Sequence, residues 1–110
     1  MVDIKTTKEN DICRIVVVGE VDASSSIQLD NAIKAAFETE KKIMVDLSGL
    51  EYISSAGLGV FVSHLEDIQS GINLVLFGLS ESVLQVFELL GLPQLIQITP
   101  TEEEALAKLS

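Results

Sequence analysis

The chain of 110 residues has no tryptophan, one cysteine, one histidine, two prolines, and only 7 Lys and Arg against 17 Asp and Glu. Each shortage removes a class of function. The single Cys13 makes no internal disulfide and sits in the apolar run Ile12 to Val18, where it reads as a small core residue. With one histidine, His64, and no paired Cys or His spacing, a metal would find only scattered carboxylates, so neither metal nor cofactor is expected. A formal net charge of −10 repels a phosphate backbone, and no direct nucleic-acid binding is expected. The acidic run Glu102, Glu103, Glu104 reads as the first turn of a last helix. No apolar run reaches the roughly 18 residues of a membrane span. The opening Met-Val-Asp-Ile-Lys-Thr has neither the basic nor the apolar part of a signal peptide. A soluble, cytoplasmic protein without membrane contact is expected.

Several catalytic patterns are missing too. There is no Walker A loop, and neither Ser54 nor Ser55 has a glycine two positions before it, as a hydrolase elbow requires. Gly57-Leu58-Gly59 lacks the third glycine of a dinucleotide loop and, on this reading, a strand at the fitting distance. His64 lies nine residues beyond Ser55, which on one helix is roughly 13.5 Å along the axis and half a turn out of phase. The two make no nucleophile and base pair, and the chain is not expected to be an enzyme.

What the sequence does have is an apolar skeleton, 47% hydrophobic and 22% charged, suited to one compact domain over residues 1–110. Val2 to Thr6 and Ile12 to Val18, with Lys8 to Asp11 between them, read as a β-hairpin. Ala23 to Ser26 offers caps for a helix with a stripe of Leu29, Ala32, Ile33, Ala36 and Phe37, stopping near Thr39. Lys41 to Leu47 reads as a third strand, Ser48-Gly49 as a turn, and Tyr52 and Ile53 as a short extended piece. A helix with apolar residues Leu58, Phe61, Val62, Leu65 and Ile68 then runs to about Gln69, with Gly71 closing it. A fourth strand at Asn73 to Phe77, a helix capped by Ser80 and closed by Gly91 and Pro93, a strand at Leu95 to Ile98 and a last helix from Thr101 follow. The alternation predicts an α/β domain: a hairpin leading into a mixed sheet of four to five strands with about four covering helices. Loops at the carboxyl ends of parallel strands gather on one edge. That edge is expected to collect Asp22 and Ser24, then Asp46 and Ser55, then Gly78 to Ser80.

The most informative stretch is Ile53 to Val60, Ile-Ser-Ser-Ala-Gly-Leu-Gly-Val. It places two hydroxyls, Ser54 and Ser55, where a helix begins. Such an end has unpaired N–H groups and partial positive charge, so a serine can cap it and a phosphate is favoured there. Capping alone is the plain explanation of such a serine. Gly57 and Gly59 in the first turn, each costing about 1 kcal/mol relative to Ala, point further, to a backbone left bare for a partner that approaches Ser55.

Gly19-Glu20-Val21-Asp22, Val45-Asp46-Leu47-Ser48, Ile53 to Val60 and the Gly91-Leu92 break together resemble the STAS domain, and within it the single-domain anti-sigma factor antagonists of bacteria. The similarity runs over nearly the whole chain, and Ser-Ser-Ala-Gly-Leu-Gly is its most specific part. The resemblance implies a hydroxyl that an anti-sigma factor, itself a serine kinase, phosphorylates, and a serine phosphatase that restores it. Alignment on Gly57-Leu58-Gly59 places that hydroxyl at Ser55, with Ser54 the alternative, because Ser54 stands where the family commonly has Asp. It also implies partner contacts at Asp22, Ser24, Ser54, Ser55, Ala56, Gly57 and Gly59.

Rival readings remain open on the residues. Asp46 at the end of a strand is placed like the acceptor of a phospho-receiver domain, but no acidic pair follows the earlier strand and Leu95 to Ile98 offers no lysine. A STAS interaction module that is never phosphorylated is the other.

Overall fold

The computed structural model describes residues 1–110. Strands β1 (Val2–Glu9) and β2 (Ile12–Val21) form an antiparallel hairpin, turning at Asn10 with φ 61°. The chain continues through α1 (Ser26–Thr39), β3 (Lys42–Ile53), α2 (Ser55–Ser63), α3 (Leu65–Gln69), β4 (Asn73–Phe77), α4 (Glu81–Leu89), a 3-10 turn at Leu92–Gln94, β5 (Gln97–Thr99) and α5 (Glu102–Leu109). The five strands lie in sequence order, and every pair after the hairpin is parallel. The expected architecture of a hairpin leading into a mixed sheet is therefore found.

The central strand explains the layering. Ile43, Val45 and Leu47 point to one face and Met44 to the other, all buried, as befits a strand covered on both sides. On the first face Leu29, Ile33 and Ala36 of α1, Leu58 and Phe61 of α2, and Val83 and Phe87 of α4 close the main core. Phe61 and Phe87, with ring centroids 5.8 Å apart, join α2 to α4. On the second face Ala105 and Leu109 of α5 cover Met44, Val75 and Phe77. Arg14 of β2 reaches both Glu102 at the start of α5 and Asp46 of β3 on that side.

Four local expectations are corrected. Ser48-Gly49 is not a turn, because β3 runs unbroken to Ile53. It carries two residues more than its partner: Val16 to Val21 of β2 spans Asp46 to Ile53 of β3, with register shifts on either side of Val18 and Gly19. These bulges keep Leu47, Leu50 and Ile53 all on the buried side, a spacing that breaks strand alternation. The helix after Ile53 does not run straight to Gln69, since His64, at φ −103° and ψ 7°, ends α2 and begins α3. Val62 leaves the buried stripe and is exposed. The last strand lies at Gln97–Thr99, displaced by the 3-10 turn Leu92–Gln94, of which Pro93 is the second residue.

Candidate functional site

Two adjacent loops make the site. Val21 and Ile53 end neighbouring strands, and the Ser54 N–H donates to the Val21 carbonyl at 2.8 Å. The β2–α1 loop from Asp22 and the β3–α2 junction at Ser54 are thus tied side by side. The third expected loop does not join them. Asp46 lies mid-strand and pairs with Phe77, the last residue of β4, so β3 continues for up to roughly 20 Å beyond the point where Gly78 to Ser80 begins. Asp46 itself turns to the α5 face, where its Oδ1 accepts from the Ser48 N–H at 2.9 Å and the Ser48 hydroxyl at 2.6 Å, and its Oδ2 lies 3.7 Å from Arg14.

The two hydroxyls at the head of α2 divide the work. Ser54 is the cap: its Oγ accepts from the Gly57 N–H at 3.2 Å, with extended backbone at φ −82°. Ser55 is the first residue of the helix, exposed, and its hydroxyl bonds to nothing in the chain. The expectation that Ser55 caps is corrected, and with it goes the plain explanation of that residue. The N–H groups of Ser55 and Ala56 also lack an acceptor, which leaves donors beside a free hydroxyl at the positive end of α2.

The two glycines divide as well. Gly57 is buried, and a Cβ there would lie 2.7 Å from Ile53 Cγ1 and 2.8 Å from Val21 Cγ1, so its bareness serves the packing of α2 onto the two strand ends and not an incoming partner. Gly59 is exposed with nothing within 4 Å of a Cβ. The fold gives no reason for it.

Along the outer face of α2 run Ser55, Ala56, Gly59, Val62 and Ser63, all exposed and none charged, in a chain of net charge −10. Val62 is 46% exposed, and two further apolar side chains flank the site, Ile27 in the first turn of α1 at 64% and Tyr52 near the end of β3 at 52%. Reading the sequence missed these three. The signal available for Tyr52 and Val62 was the lack of any charged residue from Tyr52 to Ser63; Ile27, outside that stretch, had none.

Asp22 shapes the neighbouring loop. Its Oδ1 accepts from the N–H groups of Ser24 at 3.0 Å and Ser25 at 2.9 Å and lies 2.8 Å from the Ser24 hydroxyl, while its own N–H donates to Ser25 Oγ at 2.8 Å. Ser24 is exposed, and Oδ2 of Asp22 is left without a partner in the chain. The bond from the Ser25 N–H, then those from the two hydroxyls, hold the Asp22 carboxyl well below the usual carboxylate range. No helix in the chain is long and apolar enough to cross a membrane. Although β3 does run up to Ile53, Gly57 sits inside the helix against β2 and β3, so the dinucleotide-loop reading stays rejected.

The model of the STAS domain matches residues 3–105. The chain belongs to the STAS domain family. Among STAS relatives, the anti-sigma-B factor antagonist of Listeria monocytogenes is 35% identical over 99 residues, covering 88% of this chain and 87% of the relative. That of Bacillus subtilis is 33% identical over 103 residues, covering 93% of each. The crystal structure of an anti-sigma factor antagonist from Mycobacterium paratuberculosis superposes with a TM-score of 0.91 at 21% identity, covering 99% of this chain and 94% of the other, which speaks for the shared fold.

Two expected results follow for this STAS domain. Gly59→Ala should raise stability by about 0.5–1 kcal/mol, because a helix interior favours Ala over Gly and the Cβ meets nothing; a urea midpoint that falls would contradict this. Asp22, with its carboxyl depressed in the folded state, contributes stability that is present above the unfolded pKa of about 3.9 and is lost as pH falls through the folded value. Asp22→Asn should therefore flatten the loss of stability below about pH 4 relative to wild type, read as urea midpoints across the acid range. An unchanged acid limb would show that the carboxylate contributes nothing there.

Proposed function

We propose that this STAS domain is an anti-sigma factor antagonist that docks through the outer face of α2, with Ser55 as its phosphorylation site. The observation that carries the reading is the exposed Ser55 hydroxyl, unbonded because Ser54 has taken over the cap. In the neutral state the uncharged face of Ser55, Ala56, Gly59 and Val62, with Ile27 and Tyr52 beside it, presents apolar anchors and small residues that permit close approach. Glu20, Asp22, Ser24 and Glu51 form a polar, acidic rim that suits a partner with a basic one. The partner is an anti-sigma factor that is also a serine kinase, and its capture frees a sigma factor. The γ-phosphoryl group of ATP passes to Ser55 Oγ, the bond to ADP breaks, and the hydroxyl proton leaves to the kinase. A serine phosphatase reverses the step by hydrolysis. The chain acts as a binding protein in the cytoplasm, without an active site of its own.

Pull-down from an extract tests the reading. Wild type should retain the anti-sigma factor and lose it on addition of ATP but not of a non-hydrolysable analogue, whereas Ser55→Ala should retain it under both conditions. Equal release of wild type and Ser55→Ala by ATP would refute phosphorylation at this residue in favour of another acceptor such as Ser54, and retention of wild type in ATP would leave a STAS interaction module without a covalent switch.

A further inference from the structure

The sheet has two edges, β1 and β5. β5 is only three residues long and offers little to pair with, which is one way a fold protects an edge. β1 is eight residues long, with neither a proline nor a bulge. Its register with β2 is unbroken from Val2 opposite Gly19 to Glu9 opposite Ile12, and the Glu20 N–H donates to the Met1 carbonyl at 3.0 Å. Odd-numbered residues of β1 therefore exchange backbone bonds with β2, and the N–H and C=O groups of Val2, Ile4, Thr6 and Lys8 point away from the sheet. Asp3, Lys5, Lys8 and Glu9 leave β1 neutral as a whole in a chain of net charge −10. A groove of about 430 Å³ runs between β1 and α1, with Val2, Ile4 and Thr6 on one side and Gln28, Asn31 and Ala32 on the other. The charged residues of α1, Asp30, Lys34 and Glu38, turn to the opposite side of the helix, toward His64.

We propose that β1 pairs with β1 of a second copy of this chain, antiparallel and centred on Ile4, joining the two sheets into one. Pairing about a two-fold axis normal to the sheet keeps both α1 helices on one side and sets each residue opposite one of the same face. The charges choose the register. Centred on Asp3 or on Lys5, the strand would set that residue against itself, and centred on Thr6 it would set Asp3 against Glu9 of the second copy, like charges that destabilise a cross-strand pair. Centred on Thr7, it would run Ile4 against the turn at Asn10. Centred on Ile4, Asp3 faces Lys5 of the second copy, twice over, at positions without a backbone bond, where side chains come closest. Asp3 and Lys5 are both exposed, and neither has an ion-pair partner within its own chain. Ile4 then exchanges backbone bonds with Ile4, and Val2 with Thr6, while the half-buried Val2 and Ile4 side chains meet across the axis beneath the two α1 helices. The axis reverses β1, so the two Ser55 faces look to opposite ends of the dimer, and the pairing does not depend on the role of Ser55.

Sedimentation velocity over a roughly hundredfold range of concentration, up to about 1 mM, reads the association. Wild type should pass from monomer to dimer. Lys5→Asp and Asp3→Lys each set like charges opposite one another twice and should weaken the dimer by roughly tenfold or more, and Asp3→Lys combined with Lys5→Asp should restore it. Both side chains are exposed, so circular dichroism should show every variant folded. Amide exchange in wild type places the contact: as concentration rises, the N–H groups of Ile4 and Thr6 should gain protection, while that of Lys5, already bonded to β2, should not change. Wild type that stays monomeric throughout would overturn the proposal. So would a dimer that both single variants form as readily as wild type, one that the double variant fails to recover, or one that leaves Ile4 and Thr6 unprotected, since its contact would then lie on another surface or in another register.

Discussion

Replacing Ser55 by Glu, or phosphorylating it, should weaken binding of the anti-sigma factor by roughly 100-fold, about 3 kcal/mol at 1.4 kcal/mol per tenfold, and leave the fold as stable as before. The two halves have different physical origins. In the free protein an anion at the first helical position meets the unbonded N–H groups of Ser55 and Ala56 and the positive end of α2, an effect favourable by about 0.3–1 kcal/mol. In a complex that fits a neutral hydroxyl, the same charge loses its water and finds the partner's basic groups already paired with the acidic rim, a mismatch that costs several kcal/mol. Calorimetric titration beside urea unfolding separates the halves. Loss of both binding and stability would place the effect in folding, and retention of both would deny Ser55 a place in the interface.

Gly57→Val should destabilise the domain by about 3 kcal/mol, the upper end for overpacking a filled site. A Cβ alone would lie 2.8 Å from Val21 Cγ1 and 2.7 Å from Ile53 Cγ1, and both partners are themselves buried at strand ends. The strain falls on the contact that ties β2, β3 and the start of α2, so presentation of Ser55 should suffer with stability. Gly59→Val, one half-turn along and open to solvent, should change stability by no more than about 0.5 kcal/mol, as surface substitutions do. Thermal and urea unfolding of the pair checks this. Equal destabilisation at the two positions would mean that packing does not distinguish them.

What could be read from the residues, and what could not, follows from whether a signal is local. The hairpin, the alternation of strands and helices, and the helix beginning beside Ser54 and Ser55 are written in apolar period, turn residues and caps. The extension of β3 to Ile53 is not, because its two bulges space Leu47, Leu50 and Ile53 as no regular strand would. Which serine caps turns on a boundary of one residue, finer than pattern reading resolves. The break at His64 has no glycine or proline to announce it, and coincides with a bond to Asp30, 34 residues away in the chain. Gly57 looked like an invitation to a partner because its true neighbours, Val21 and Ile53, meet only once the sheet has formed. Asp46 read as the end of a strand for the same reason that Ser48-Gly49 read as a turn.

The account depends on Ser55, and not the neighbouring cap, being the hydroxyl that accepts phosphate. Incubating the protein with the anti-sigma factor and ATP, then mapping the phosphopeptide that spans Ile53 to His64 by mass spectrometry, tests this directly. One phosphoryl group on Ser55 with Ser54 unmodified is the predicted result. Phosphate on Ser54, or a phosphopeptide from elsewhere in the chain, would contradict it.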